Sequence, residues 1–298
     1  LDMGRLADTL DRIAEKGPRE FFEGEVGEAL ARDIEAKGGP LRFDDLRAYR
    51  AAFQEPLSFG YRDATFHVTP VLTAGPTFRT IFAGLERALE PGGEPGANAY
   101  AAYVAALKDA YAERLSTMGD EHESPAAPAS TTHFSIVDRD GNMVALTQTL
   151  LSAFGSKVVS PSTGLLLNNG IMWFDPEPGK PNSLGAGKRC LMNVCPVIGE
   201  QGEKRFAFGA SGGRKIVSAV AQLASFATDF GMDVGQAFHQ PRIDVSGGET
   251  VVADSKVPAE AIEALGAVHP VTVTHRTVYP YAFACPAGVM RQGDTNSG

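Results

Sequence analysis

The chain has 298 residues, of which 43% are hydrophobic and 21% charged, and its formal net charge is -9. This composition is typical of a globular domain, and the acidic balance argues against nucleic-acid binding, which usually needs a basic face. No apolar run is long enough to span a bilayer, and no signal-peptide pattern opens the chain. Leu1-Asp2-Met3 is an unusual start for a complete gene product, so we expect a fragment of a longer protein.

Apolar residues at helical spacing predict that the part before Met118 is mostly helical. The predicted helices cover residues 6–13, 22–34, 43–50, 75–89 and 100–115, with extended pieces at 56–59 and 65–69. Residues 121–130 are polar and contain two prolines, Pro125 and Pro128. We expect this segment to be an exposed linker, where chain cleavage is tolerated.

Polar and apolar residues alternate between positions 131 and 150, which is typical of half-buried strands. The apolar members are Phe134, Ile136, Val144, Leu146 and Leu150, and the polar members are Thr131, His133, Ser135, Thr147 and Thr149. A histidine in such a strand is more often a structural hydrogen-bonding group than a catalytic base, so His133 is left out of the predicted chemistry.

The alternation also fixes how the two strands pair. Opposite residues of an antiparallel pair share a face, so the loop between the strands must hold an odd number of residues. Arg139-Asp140-Gly141 fits a three-residue loop in which Gly141 takes the left-handed position. Counting back from this loop places Thr131 directly opposite Thr149.

This pairing suggests a chemistry for Thr131. A threonine hydroxyl needs an adjacent base, and a free α-amine on the same residue can serve as that base. Cleavage after Ser130 would create the amine, and Thr149 would hold the hydroxyl in place. From the pattern alone, ordinary strand threonines are the favoured alternative, because threonine is common in strands.

The remainder of the chain mixes strands and helices. The pattern predicts a buried strand at 165–167, a loop at 175–181, a strand at 205–208, a helix from 214 with one apolar face, a helix at 258–265 and a strand at 271–278. These elements alone support only a mixed α and β fold.

A glycine-rich turn, Gly209-Ala210-Ser211-Gly212-Gly213, joins the strand at 205–208 to the helix from 214. Backbone N–H groups at such a turn can stabilise an oxyanion. A phosphate-binding loop would need a different spacing and a Ser or Thr after its lysine. The other alternative is a plain helix-entry turn in which glycine allows close packing, and the residues alone favour that alternative.

Several short sequence motifs, which follow one another in the family's order, resemble the gamma-glutamyltranspeptidase family. In the second half these are residues 131–138 (TTHFSIVD), 140–142 (DGN), 164–169 (GLLLNN), 178–182 (PGKPN), 188–189 (KR) and 209–213 (GASGG). In the first half, residues 19–24 (REFFEG), 46–49 (LRAY), 55–57 (EPL), 111–114 (YAER) and 119–120 (GD) resemble the family's large subunit. The resemblance covers most of the chain and reverses the preference for ordinary threonines.

The resemblance implies an α+β fold, a four-layer αββα sandwich of the N-terminal nucleophile hydrolase type. It implies that residues 1–130 are the C-terminal part of a large subunit ending in a cleavable linker, and that 131–298 are the small catalytic subunit. The enzyme would be a gamma-glutamyltransferase-like zymogen that activates itself by autoproteolysis. Thr131 and Thr149 would then be catalytic, with Gly212 and Gly213 as oxyanion donors.

The same resemblance implies partners and a compartment. The partners would be a small-molecule amide substrate, as in glutathione metabolism, and the chain's own other subunit after cleavage. Members of the family are often exported, whereas the residues themselves indicate no compartment. No metal or organic cofactor is indicated. The three cysteines, Cys190, Cys195 and Cys285, match no standard zinc spacing, so we expect small buried hydrophobic residues.

The chain departs from the family where a gamma-glutamyl donor would be held. Polar or acidic family residues are replaced here by Leu151, Gly170, Trp173 and the pair Met192-Asn193. A buried ammonium group needs an anion or several hydrogen-bond acceptors. Together, these residues supply neither.

Three interpretations follow. Asp175 or Glu177 could reach the donor amine from a shifted loop and preserve gamma-glutamyl specificity. Alternatively, the pocket takes an acyl group without that amine, as in the related cephalosporin acylases, and we favour this interpretation. The third is a non-catalytic scaffold that retains the fold.

Overall fold

The computed structural model describes residues 2–119, 129–277 and 282–298, with the side chains of 119, 129 and 130 excepted. Most of the predicted linker at 121–130 lies outside the described residues, as does Val278 at the end of the predicted strand 271–278.

Helices dominate the first 119 residues, as the sequence predicted, and further helices lie after residue 214. The helices are α1 (Leu6–Lys16), α2 (Glu20–Glu23), α3 (Glu25–Ala36), α4 (Phe43–Ala48), α5 (Gly75–Ala88), α6 (Ala97–Glu113), α7 (Lys215–Asp229), α8 (Val234–His239) and α9 (Ala259–Gly266). Helix α6 continues into a π-helical turn, Arg114–Gly119. The helix predicted at 22–34 is divided, because Gly24 takes an extended conformation (φ -98°, ψ -167°) between α2 and α3.

Within residues 2–119, 129–277 and 282–298, the strands form three sheets. They are β1 (Leu57–Tyr61), β2 (Ala64–Val68), β3 (Ala129–Val137), β4 (Met143–Ser152), β5 (Val197–Gln201), β6 (Lys204–Ser211), β7 (Ile243–Asp244), β8 (Val251–Asp254), β9 (Val271–Thr274), β10 (Cys285–Gln292) and β11 (Thr295–Ser297). The largest sheet has six strands in the order β1-β2-β5-β6-β10-β11, β3 and β4 form a two-stranded ribbon, and β7, β8 and β9 form the third sheet.

The strand predicted at 165–167 is wrong. Only one isolated bridge, between Val159 and Leu166, forms there, and the three leucines are half-buried rather than buried. Hydrogen bonds from Gly164 N to the Ser160 carbonyl (2.8 Å) and from Ser160 N to the Leu165 carbonyl (2.9 Å) fold this segment into a turn. Apolar runs of this length cannot be assigned from periodicity alone.

The chain packs as two units. One comprises Leu1–Gln54 with Leu150–Gly170, and the other comprises Glu55–Thr149 with Ile171–Gly298. In the first unit, Asp33 of α3 accepts hydrogen bonds from Ser160 (2.5 Å) and Ser162 (2.8 Å). These units describe packing, whereas the boundary predicted between residues 130 and 131 is a covalent cut and stays a prediction.

In the second unit, helices and the ribbon pack on opposite faces of the six-stranded sheet. Phe206 and Phe208 of β6 are fully buried on the helical face, where Phe208 contacts Phe238 of α8 with ring centroids 5.4 Å apart. The next residue, Gly209, faces the ribbon, and a Cβ built there would lie 2.2 Å from the ring of His133. Burying each of these phenylalanine rings contributes about 1.5–3 kcal/mol.

The ribbon turns its polar face toward the sheet, which is the reverse of the usual arrangement. His133 on this inner face is only 9% exposed. The outer face is apolar and exposed: Phe134 is 39%, Ile136 51%, Val144 47% and Leu146 38% exposed. Alternation therefore located the strands, while the identity of the buried face depends on Gly209, whose missing side chain makes room for the imidazole ring.

The cysteines only partly follow the prediction. Cys195 is buried, Cys190 is half-buried and Cys285 is exposed, and all three are free thiols. Cys285 was wrongly expected to be buried. It begins β10, opposite Ser211 at the end of β6, and β11 pairs only with residues 290–292 of that strand, so its exposed side chain lies at an end of β10 that β11 does not reach. No cluster of three or more metal-ligating side chains is present in the part of the chain that the structure describes.

Candidate active site

The hairpin closes in the register that its alternation predicted. Asp138 N donates to the Asn142 carbonyl at 3.0 Å, which leaves Arg139-Asp140-Gly141 as the loop, and Gly141 has φ +86°. The Asp138 carboxylate accepts hydrogen bonds from the side chain of Asn142 (2.7 Å) and from the backbone N of Asn142 and Asp140 (2.9 Å each). These bonds lower the pKa of Asp138 and fix the turn, as local side-chain to backbone bonds do.

The two predicted hydroxyls meet on the inner face of the ribbon. Thr131 Oγ1 donates to Thr149 Oγ1 at 3.2 Å, and both residues are half-buried. Eighteen residues of sequence separate them, and the register of the hairpin brings them together. Thr149 can therefore orient the Thr131 hydroxyl, which is the arrangement that a threonine nucleophile needs.

His133 is engaged elsewhere on the same face. Its Nδ1 lies 2.7 Å from Thr147 Oγ1 and its Nε2 lies 2.9 Å from Ser135 Oγ. Burial lowers the pKa of His133 to about 4, so the imidazole is neutral near pH 7. Since both ring nitrogens have hydroxyl partners, His133 braces the ribbon, in agreement with its exclusion from the predicted chemistry.

The glycine turn lies between the end of β6 and the start of α7. Gly212 has φ +143° and Gly213 has φ +61°, conformations that favour glycine. A Cβ on Gly212 would also lie 2.8 Å from Ala284. Lys215 N donates to the Gly212 carbonyl (3.3 Å) and Ile216 N to the Gly213 carbonyl (3.2 Å), so the helix begins directly from the glycine pair.

The ribbon lies lengthwise along β6 and β10, with its loop toward the start of β6. At one end, Arg291 of β10 donates to the Arg139 carbonyl of the ribbon's loop (3.4 Å), and Arg291 pairs with Arg205 at the start of β6. Farther along, His133 lies over Gly209. Thr131, two residues beyond His133 in the same direction, is therefore expected toward the end of β6, which the glycine turn follows.

Apolar side chains occupy the positions of the missing donor clamp in the second unit. Trp173 and Met192 are both half-buried, and the Trp173 carbonyl accepts a hydrogen bond from Asn182 Nδ2 at 2.6 Å. The side chain of Asn193 is already used, because its Oδ1 accepts from Arg114 at 2.9 Å. These residues supply no carboxylate for a donor amine.

The two acidic residues considered as substitutes are paired with a lysine. Lys180 Nζ lies 3.3 Å from Asp175 Oδ2 and 2.9 Å from Glu177 Oε2, and the side chain of Asp175 is fully buried. Lys180 was not predicted to have a role in the site. It lies in a loop with three prolines and a glycine, where helical spacing cannot be used to predict an ion pair.

In the first unit, one position that differs from the family has a strained backbone. Leu151 has φ +76°, a conformation that is uncommon for residues other than glycine and that asparagine adopts more readily than leucine. The resemblance implies an asparagine at this position. Backbone strain of this kind concentrates at functional sites, yet no pattern in the sequence reveals it. Gly170, the other departure in this unit, begins the 3-10 turn Gly170–Trp173.

Helices on one face of an antiparallel sheet, with a threonine ribbon on the other, define an N-terminal nucleophile hydrolase fold of the α+β class. The structure of cephalosporin acylase from Bacillus halodurans superposes on 97% of this chain and 59% of that chain, with a TM-score of 0.85 and 24% sequence identity. A sequence profile described as Gamma-glutamyltranspeptidase matches residues 1–130 and 122–295. The chain belongs to the gamma-glutamyltranspeptidase family.

Two relatives show the range of the similarity. The glutathione hydrolase proenzyme of Escherichia coli (strain K12) is 30% identical over 81% of this chain and 50% of its own length. The Acylase ACY 1 proenzyme of Pseudomonas sp. (strain SE83) is 28% identical over 87% of this chain and 53% of its own length. The chain thus spans about half the length of these relatives. Among the residues described here, no helix has the length and hydropathy to cross a bilayer.

Proposed function

We propose that this chain carries the nucleophile of a self-processing threonine amidohydrolase or acyltransferase, with the acyl-enzyme formed on Thr131. The observation that carries the proposal is the 3.2 Å contact between Thr131 Oγ1 and Thr149 Oγ1, on a ribbon directed toward the glycine turn at Gly212 and Gly213. Relatives called proenzymes, from both the hydrolase and the acylase groups, support it.

The first step is cleavage of the chain. Strand β3 runs through the Ser130–Thr131 bond, so the Thr131 hydroxyl is adjacent to the Ser130 carbonyl. Attack of Oγ1 on that carbon transfers the acyl group from the Thr131 nitrogen to its oxygen and forms an ester. Water then hydrolyses the ester, which leaves a carboxylate on Ser130 and a free amine on Thr131.

The second step is turnover of an amide substrate. The freed amine of Thr131 takes the proton from its own hydroxyl as the oxygen attacks the substrate carbonyl. Backbone N–H groups at Gly212 and Gly213 stabilise the negative charge that develops on that carbonyl oxygen, an effect of about 3–4 kcal/mol per donor in comparable sites. The proton passes to the leaving amine, and water or an acceptor amine then releases the acyl group from Thr131.

Intact-mass analysis with N-terminal sequencing tests this proposal. The purified protein should contain two fragments, the second beginning at Thr131, and Thr131→Ala should remain uncut. Thr132→Ala is the matched control: its side chain is exposed on the opposite face of β3, so this variant should be cut normally. An uncut wild-type protein, or a Thr131→Ala protein that is still cut, would refute the proposal.

The donor is proposed to be an acyl group without a free α-amine. Lys180 forms ion pairs with both Asp175 and Glu177, so these carboxylates are already engaged, and Trp173 and Met192 present apolar surface instead of acceptors. An ammonium group entering such surroundings would lose its hydration and would have to compete with Lys180 for the two carboxylates. The similarity to the Acylase ACY 1 proenzyme supports this second proposal.

Hydrolysis of a glutaryl anilide and of a gamma-glutamyl anilide distinguishes the donors, because the two differ only in the α-amine. We expect a higher kcat/KM on the glutaryl compound. Higher kcat/KM on the gamma-glutamyl compound would restore the ordinary transpeptidase specificity. Inactivity on both with cleavage intact would indicate another acyl donor, and inactivity without cleavage would favour a scaffold protein.

A further inference from the structure

The C-terminal end of α6 reaches the loop that carries the proposed oxyanion donors. Tyr111 is 2% exposed, and its hydroxyl donates a hydrogen bond to the carbonyl of Arg214. Arg214 directly follows Gly213. Burial raises the pKa of Tyr111, so the hydroxyl keeps its proton and remains a donor.

One turn further along, Arg114 reaches a second segment. One nitrogen of its guanidinium group (Nη1) donates to the Thr73 carbonyl (3.1 Å) and to Thr77 Oγ1 (3.2 Å). The other nitrogen (Nη2) donates to the Met192 carbonyl (3.0 Å) and to Asn193 Oδ1 (2.9 Å). The planar fork of arginine suits this double attachment, and it ties the 192–193 segment to the start of α5.

We propose that Tyr111 and Arg114 are positioning residues of the acyl-transfer site: Tyr111 holds the glycine turn, and Arg114 holds the 192–193 segment. The inference rests on the proposed function. Both residues act through other groups, mainly carbonyls of the segments that they hold.

The glycine turn needs an external anchor for a physical reason. Gly212 and Gly213 carry no side chains and have wide conformational freedom, so their N–H groups could rotate away from a developing oxyanion. Oxyanion donors are effective only when they are oriented before the reaction. A hydrogen bond to the next carbonyl, from a buried helix, limits that rotation.

The arrangement also gives the first part of the chain a role in the site. Tyr111 and Arg114 precede the proposed cut at 130/131, while Arg214 and Met192 follow it. After cleavage these hydrogen bonds would join two polypeptides, so residues before the cut would complete a site whose nucleophile lies after it.

Tyr111→Phe tests the first half of the proposal, with Tyr100→Phe as the matched control. Tyr100 is also buried on α6 and also donates to a backbone carbonyl, that of Pro241, at 2.8 Å. We expect Tyr111→Phe to lower kcat about tenfold, as expected for one lost hydrogen bond of about 1.4 kcal/mol, with KM unchanged. Hydrogen exchange at the amides of residues 212–214 should accelerate, and Tyr100→Phe should change neither kcat nor this exchange.

Arg114→Lys tests whether Arg114 holds the 192–193 segment. Lysine keeps the positive charge but lacks the two separate guanidinium nitrogens that bind the two segments. We expect the KM for the acyl donor to rise while kcat is retained, with faster exchange at residues 192–193. Equal effects of Tyr111→Phe and Tyr100→Phe, or an Arg114→Lys protein that loses kcat and keeps KM, would overturn the proposal. A wild-type protein that neither cuts itself nor hydrolyses either anilide would refute the proposed function, and the exchange data would still decide whether Tyr111 and Arg114 hold these segments.

Discussion

The two ends of helix α7 are built in opposite ways. Its C-terminal end is closed by Asp229, a carboxylate with no exposed area and several hydrogen-bond donors around it. Its N-terminal end is entered through Gly212 and Gly213, a turn whose polar groups all belong to the backbone. The helix between the ends is buried from Ile216 to Asp229, so neither end can adjust by shifting the helix.

The contacts of Asp229 show what a structural end looks like. Its carboxylate accepts hydrogen bonds from Tyr61 Oη (2.9 Å), Arg62 Nε (2.8 Å) and Ser225 Oγ (2.5 Å). Burial raises the pKa of Asp229, while these partners oppose the rise. Complete pairing of this kind stabilises the fold, whereas a glycine turn can leave donors for a substrate. We therefore expect substitutions at the two ends to affect different measurements.

The largest expected effect is on stability, at the C-terminal end of α7. Asp229→Ala removes the acceptor for Tyr61 and Arg62, and breaking a buried ion pair typically costs about 3–5 kcal/mol. Denaturant unfolding measures this loss, while turnover of the folded protein should be unchanged.

Asp63→Asn is the control for Asp229→Ala. Asp63 is exposed and accepts one hydrogen bond from Gln201 (2.8 Å), so we expect a stability change below about 0.5 kcal/mol. An Asp229→Ala protein with normal stability and impaired turnover would contradict the distinction between the two ends.

The second prediction compares two glycines at opposite ends of α7. Gly213 has φ +61° and Gly231, just beyond the helix, has φ +67°, so alanine at either position should cost a similar amount of stability, about 1–2 kcal/mol. Only Gly213→Ala should lower kcat, by about a hundredfold, because it displaces a proposed oxyanion donor. A Cβ at Gly231 meets no atom within 4 Å, which makes it a clean control. Equal kcat values for the two variants would remove Gly213 from the proposed site.

Local patterns predicted the hairpin and the glycine turn. Alternation and loop parity fixed which threonines meet, because strand register depends on residues close in sequence. The glycines were recognisable for the same reason, since a strand, a glycine pair and a helix follow one another directly. These features needed no knowledge of distant partners.

Distant packing decided what the sequence could not predict. The inner face of the ribbon is polar because Gly209, far along the chain from His133, leaves space for the imidazole ring. Strand β10 was missed because it contains Pro286 and Gly288 and lacks a β-branched run. Gly288 is required there, since a Cβ would lie 2.4 Å from Phe208. Such constraints arise from partners that only the fold brings together.

The third prediction concerns the buried His133, on the inner face of the ribbon. Burial lowers the pKa of His133 to about 4, from 6.5. Above pH 6.5 the ring is neutral in both the folded and the unfolded chain. Between pH 6.5 and 4, the unfolded chain binds a proton that the folded chain does not, so the free energy of unfolding should fall as the pH falls.

Comparison with a variant that lacks the imidazole identifies the source of this decrease in the free energy of unfolding. At about 1.4 kcal/mol per pKa unit, the full contribution of His133 is at most about 3.5 kcal/mol. Denaturant unfolding of the wild-type protein and of His133→Gln, at several pH values between 7 and 4, would separate this contribution from that of the carboxylates, which both proteins share. Glutamine can still hydrogen-bond to Thr147 or Ser135 but does not titrate, so the decrease should be smaller in the variant. Identical pH dependence in both proteins would show that His133 takes up its proton without cost in the folded state, and the inner face of the ribbon would then be more accessible to solvent than its contacts with Gly209 indicate.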